Sequence, residues 1–145
     1  MKKIILIAAI LGSSFRLLAA DPTVNEKVLN AFNKLFKNVQ DLNWTETEAS
    51  YEANFKQNEI TSRVIYDKEG NIIQTFRYYH EEQLPIMLLA KLKNKFTDKK
   101  VYGVTEICTE EGIYYYITME DEKNWIQVRA DGYGSMTVEK KFKKA

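Results

Sequence analysis

Twice along this chain the spacing of apolar residues switches from a helical period to a period of two, and that double switch limits the folds open to it. Val24, Val28, Leu29, Phe32, Leu35, Phe36 and Val39 recur at helical intervals and form one stripe, while Asn25, Lys27, Asn30, Asn33, Lys34 and Lys37 take the other side. Thr23 and Glu26 have capping-box spacing, with Pro22 just ahead of the helix. After Trp44 the period becomes two: Tyr51, Ala53 and Phe55 alternate with Glu52, Asn54 and Lys56, the pattern of a half-buried strand. Gln57-Asn58-Glu59 reads as a turn and Ile60 to Tyr66 as a strand. Asp67-Lys68-Glu69-Gly70-Asn71 reads as a hairpin turn, with Gly70 supplying positive φ, and Ile72 to Tyr79 as the returning strand.

The second switch follows. Leu84-Pro85 fits a helix start, since proline has its φ preset and no N–H to leave unpaired. Ile86, Leu89, Leu92 and Phe96 face one way, with Leu88 beside them. Strands are expected at Val101–Cys108, Ile113–Met119, Trp125–Ala130 and, after the Asp131-Gly132 turn, Ser135–Phe142. Identities accompany the repeated order: Trp44-Thr45-Glu46 after Phe36 has its counterpart in Val104-Thr105-Glu106 after Phe96. The expected fold is therefore α+β: two tandem helix-then-antiparallel-strands units, α-β-β-β(-β) twice, sharing one antiparallel sheet with the helices on one face. The units run from about 23 to 80 and from about 84 to 142, inside a single domain spanning 21–145.

Residues 1–20 have the plan of an export signal. Lys2 and Lys3 precede the apolar run Ile4–Leu11, and Leu18-Ala19-Ala20 offers a small-residue cleavage site before Asp21. The run is too short to span a bilayer, so no membrane anchor is expected after cleavage, and the product is expected in the periplasm or outside the cell. Three of the 21 basic residues lie in this leader, which leaves 18 bases against 20 acids in the mature chain. That balance, without a basic stripe, argues against a nucleic-acid partner.

A single cysteine, Cys108, and a single histidine, His80, exclude disulfide frameworks and clustered Cys or His metal sites. Their spacing gives no reason to place them together as a nucleophilic pair. The carboxylates fall in turns without calcium-loop spacing, and no glycine-rich phosphate loop precedes a helix. The residues name no catalytic site, metal site or cofactor, and the chain reads as a non-enzyme.

Strand alternation does single out one surface. Ile113, Tyr115, Ile117 and Met119 share a face with Ile126, Val128, Ala130, Met136 and Val138. Tyr114, Tyr116 and Thr118 then lie with Trp125, Gln127 and Arg129, and with Thr137, Glu139 and Lys141, on the other. With helices over one face only, Tyr114, Tyr116, Trp125, Gln127 and Arg129 form a candidate binding face, because Tyr, Trp and Arg dominate recognition hot spots. The same rings also fit a cross-strand ladder that shields the sheet without any partner.

Ala31-Phe32 and Phe36, Trp44, Tyr51-Glu52-Ala53-Asn54-Phe55, Tyr66-Asp67-Lys68-Glu69-Gly70-Asn71, Leu84-Pro85, Gly112-Ile113-Tyr114-Tyr115-Tyr116 and Ala130-Asp131-Gly132 together resemble the PepSY-like, β-lactamase-inhibitor-like family of exported bacterial proteins. The resemblance runs from about Val24 to Phe142. It implies an α+β fold and a non-enzymatic role outside the cytoplasm, and it brings no catalytic residues. Two functions follow as expectations: an exported, possible inhibitor-like binding module that recognises an unidentified protein or peptide through the aromatic face, or a structural or chaperone-like envelope protein that self-associates through it.

Overall fold

The computed structural model describes residues 22–145, so the leader lies outside the described residues. The elements run α1 (Glu26–Leu35), β1 (Gln40–Glu46), β2 (Ser50–Gln57), β3 (Ile60–Asp67), β4 (Ile72–Tyr79), a single 3-10 turn at Glu81–Gln83, α2 (Ile86–Lys95), β5 (Lys100–Thr109), β6 (Gly112–Glu120), β7 (Asn124–Asp131) and β8 (Met136–Lys143). All eight strands join one antiparallel sheet in sequence order. Strands take 53% of the described residues and helices only 19%, so the molecule is a sheet with two short helices laid on it.

The expected pair of helix-and-strand units is thereby overturned. β4 and β5 pair over six positions, from Gln74 opposite Thr109 to Tyr79 opposite Val104, so the ladder passes unbroken through the expected boundary. The first helix is also shorter than its stripe. It ends at Leu35, Phe36 is already extended, and Asn38 has φ 54°. Phe36 and Val39 still pack against the α1 core, which continues the apolar spacing without helix. Asn25, not Thr23, caps α1: its Oδ1 accepts the Val28 N–H at 3.0 Å, and its Nδ2 donates to the Lys68 carbonyl at 2.9 Å. One side chain thus starts the helix and ties it to the β3–β4 turn. In α2 the buried residues are Leu88 and Leu92, following Leu84 at helical spacing, whereas Ile86 is 79% exposed. The 3-10 turn sets Leu84 into the core and rotates the stripe away from Ile86.

Strand β1 was absent from the sequence expectation because it has little alternation to show. It is an edge strand, nearly all exposed, kinked at Asp41 (φ 54°), and Trp44 is its one half-buried side chain. Edges made short, bent or polar resist pairing with other chains. β8, the other edge, carries Lys140, Lys141 and Lys143.

Both helices lie on one face of the sheet, over two separate cores. Val28 and Phe32 of α1 pack on Tyr51, Ala53, Phe55, Val64 and Tyr66. Leu88 and Leu92 of α2 pack on Val104, Tyr115, Ile117, Met119, Ile126, Val128 and Ala130. On the same face between them stand Thr75 opposite Cys108 and Arg77 opposite Glu106, a polar seam along β4 and β5. There Glu106 accepts the Tyr79 hydroxyl at 2.5 Å and Arg77 at 3.1 Å.

Candidate functional site

The face opposite the helices is uncovered among the described residues, and the pairing register decides which side chains share it. Partners directly opposite in an antiparallel ladder project to the same side. Tyr114 stands opposite Ile107 and Asp131, Tyr116 opposite Thr105 and Arg129, and Thr118 opposite Gly103 and Gln127. Trp125 lies opposite Glu120 and Phe142. The five candidate residues therefore do meet on one surface, all half-buried by one another. Trp125 lies at the far end of β7, next to Gln127 on this face and about 13 Å from Arg129 at strand rise.

This surface pairs cations with rings. The Arg129 guanidinium lies 4.3 Å from the centre of the Tyr114 ring, and Lys144 Nζ lies 4.8 Å from that of Trp125. Lys144 also pairs with Glu120 at 2.6 Å, and Tyr102 meets Trp125 edge-on at 5.0 Å. Farther along, Arg63 stacks 4.2 Å over Phe76 and lies 3.4 Å from Glu52. The Asp131 carboxylate accepts the Ser135 and Tyr133 N–H groups at 2.9 Å, which holds it below the ordinary carboxylate range. Glu52 and Glu120 are held in ion pairs and Asp131 by backbone N–H groups, while Arg129 and Lys140 have no ion-pair partner among the described residues.

Sequence reasoning missed the hollow of the face. A depression of about 550 Å³ is lined by Tyr78, Tyr102, Thr61, Thr105 and Thr118, with the Lys56–Glu59 ion pair also in its lining. Tyr102 is 63% exposed. It escaped notice because the register slips between Val101 and Gly103, which breaks simple alternation in β5. Gly103, with open space where a Cβ would stand, was the available signal. A second slip, between Gln127 and Val128, corrects the assignment of β8: Lys140 and Phe142 join the open face opposite Gln127 and Trp125, and Lys141 turns to the helix side opposite Ile126. Thr137 remains on the open face, opposite Arg129.

His80 and Cys108 are not brought together. His80 is exposed just beyond Tyr79, whereas Cys108 pairs with Thr75, about 13 Å back along β4. Among the described residues no three His, Cys, Asp or Glu side chains converge as metal ligands, and no helix is long and apolar enough to cross a membrane.

No family model and no curated protein matches the chain. Solved structures do. A BLIP-like protein from Bacteroides fragilis superposes with a TM-score of 0.63 at 18% identity, over 83% of this chain and 88% of that one. The fold is that of the BLIP-like proteins. A DUF2874 family protein from Bacteroides ovatus matches at 0.62 and 17% identity, over 84% and 89% of the two chains. A protein from Bacteroides eggerthii, provisionally described as periplasmic, matches at 0.61 and 17%, over 84% and 90%. The likeness runs to BLIP-like and DUF2874 proteins, and the PepSY half of the expected family finds no support among them. At these identities the BLIP-like likeness is one of fold.

Proposed function

We propose that this protein is an exported, non-enzymatic binding module that uses its BLIP-like fold to receive a protein or peptide on the open sheet face. The observation that carries the reading is the hollow between Tyr78 and Tyr102, continuous with Tyr116, Gln127 and the stacked Arg129. Ring side chains with few rotatable bonds lose little entropy on binding, and a guanidinium already held flat on a ring keeps its donors oriented. A threonine floor leaves room for a partner side chain between two tyrosine walls.

Partner capture followed by binding measurements tests this. Tyr116→Ala or Tyr102→Ala should weaken a captured partner by at least about 2 kcal/mol, roughly thirtyfold, with little loss of stability. Ile117→Ala, at a fully buried position, should damage folding first. If binding tolerates every open-face change, the rings are cover for the sheet. If the protein captures only itself through this face, the envelope-assembly reading replaces this one. Export rests on the leader at residues 1–20 and on the periplasmic description of a structural neighbour. Mass spectrometry of the secreted or periplasmic species should find Asp21 at its N-terminus; an intact Met1 on a membrane-bound species refutes it.

A further inference from the structure

The polar seam on the helix-covered side opens into a cleft that neither core fills. Its volume is about 270 Å³, and it is lined by Phe36, Ile60 and Val64 on the apolar side and by Ser62, Thr75 and Arg77 on the polar side, with the amides of Gln57 and Asn58 at its end. Two features separate it from an ordinary surface dent. Ser62 is only 7% exposed, and its side chain and that of Thr75 stand on the cleft wall. Arg77 is also held from behind. It donates from one terminal nitrogen to Glu106 Oε1 at 3.1 Å, while Glu106 Oε2 takes the Tyr79 hydroxyl at 2.5 Å. Glu106 is 13% exposed and Arg77 41%, so the carboxylate lies inside while Arg77 reaches the lining of the cleft with N–H groups that the Glu106 bond does not use.

Arg77, Ser62 directly opposite it and Thr75 two residues away thus bring donors to one wall beside an apolar one, and among the described residues no carboxylate lines the cleft. The complement is an acceptor-rich, singly charged head on a short apolar body. The volume lies at the lower edge of pockets that hold drug-sized ligands, which limits the body to one residue or a short chain. Arginine with hydroxyls is a geometry suited to a planar carboxylate, since the guanidinium fork offers parallel donors. We propose that this cleft binds a small carboxylate with an apolar tail, from the C-terminal residue of a peptide or from a short free acyl acid. It lies on the opposite side of the sheet from the open face, so it stands or falls independently of the function proposed there.

The test is a titration of the isotope-labelled protein followed by NMR, with N-acetyl-leucine, N-acetyl-leucinamide and hexanoate as probes. N-acetyl-leucine or hexanoate should shift the amides of Ser62, Val64, Thr75 and Arg77 saturably, with a dissociation constant of about 1 mM or tighter. The neutral amide should bind at least about tenfold more weakly, because it leaves the guanidinium without its charged acceptor. Preference for N-acetyl-leucine over hexanoate assigns the site to a peptide end, and the reverse preference to a free acid. Arg77→Met should remove the difference between acid and amide. Since that change also strips Glu106 of its partner, Thr75→Val, close in shape and on the cleft wall, serves as the second variant and should weaken the acid severalfold. Equal binding of acid and amide, shifts confined to other regions, no shifts at millimolar probe, or acid binding unchanged in both variants overturns the proposal.

Discussion

Gly70 and Gly134 offer a matched pair that tests how α1 is docked. Their turns are built alike. Asp67 Oδ1 accepts the N–H groups of Glu69 and Asn71 at 2.9 and 2.8 Å, and Asp131 Oδ1 accepts those of Tyr133 and Ser135 at 2.9 Å. Gly70 has φ +92° and Gly134 φ +85°, so alanine at either pays the left-handed penalty of about 1–2 kcal/mol. The neighbours differ. A Cβ on Gly70 would stand 3.0 Å from the Lys27 carbonyl oxygen and 3.2 Å from its carbon, which belong to the backbone of the first turn of α1. On Gly134 it would meet Lys91 Nζ at 2.8 Å, the end of a flexible side chain that swings aside. Gly134→Ala should therefore cost about 1–2 kcal/mol of strain alone. Gly70→Ala must in addition move a helix whose Asn25 cap and Phe32 anchor are tied to the same turn and core, adding about 1–3 kcal/mol, the usual cost of overpacking. Against a total stability of about 5–15 kcal/mol the difference is easy to resolve. Urea denaturation followed by Trp44 fluorescence, with its ring 5.2 Å from Phe32, reports on that core. Equal losses for the two variants would refute the close docking of α1 on the β3–β4 turn.

Other consequences are as specific. Phe32→Ala, at a site 2% exposed and ringed by Phe36, Trp44 and Phe55, should lower stability by about 3–5 kcal/mol, while Leu35→Ala, 61% exposed, should change it by less than about 0.5 kcal/mol, as melting temperatures will show. Glu59→Gly should stabilise by about 0.5–1 kcal/mol, since Asn58 and Glu59 (φ 50° and 65°) form a two-residue hairpin turn made for Asn-Gly, and the exposed Lys56–Glu59 pair that is lost contributes little; unchanged or lower stability in chemical denaturation contradicts it. Burial pushes the Tyr66 hydroxyl up to about 12, and burial with the Glu106 hydrogen bond raises Tyr79 further. Both groups are neutral when folded, so their contribution is whole below the unfolded tyrosine value of about 10 and falls as pH climbs from there towards about 12. Ultraviolet titration should show two tyrosines ionising only as the protein unfolds.

The period of the apolar residues made most of the strands and both helices legible, because each period reports the geometry of the element that must bury one side. It did not report pairing between elements. The repeated order suggested two units, yet nothing local in Ile72–Tyr79 or Val101–Cys108 marks them as mutual partners, and that ladder is what makes one sheet. Helix ends were misjudged for a related reason: Phe36 and Val39 are apolar because they face the core, and burial alone does not say whether the backbone reaches it as helix or as extended chain.

The candidate face shows the same limit at finer scale. Alternation placed Tyr114, Tyr116, Trp125, Gln127 and Arg129 together correctly because β6 and β7 pair without a slip from Tyr114 opposite Asp131 to Glu120 opposite Trp125. The neighbouring ladders each contain one slip, and each reverses the parity beyond it. The first slip turns Tyr102 out beside Trp125, and the second exchanges Lys141 for Lys140 and Phe142. These bulges are therefore what give the face its exposed ring at the hollow and its free cation. Deleting Tyr102 from the chain would restore regular β5 alternation while keeping Gly103 opposite Thr118, and should fill no core cavity. If the hollow is the recognition element, this deletion should weaken partner binding at least as much as Tyr102→Ala and leave the sheet folded. Retained binding would move recognition to the β7–β8 side, where Arg129 and Lys140 lie.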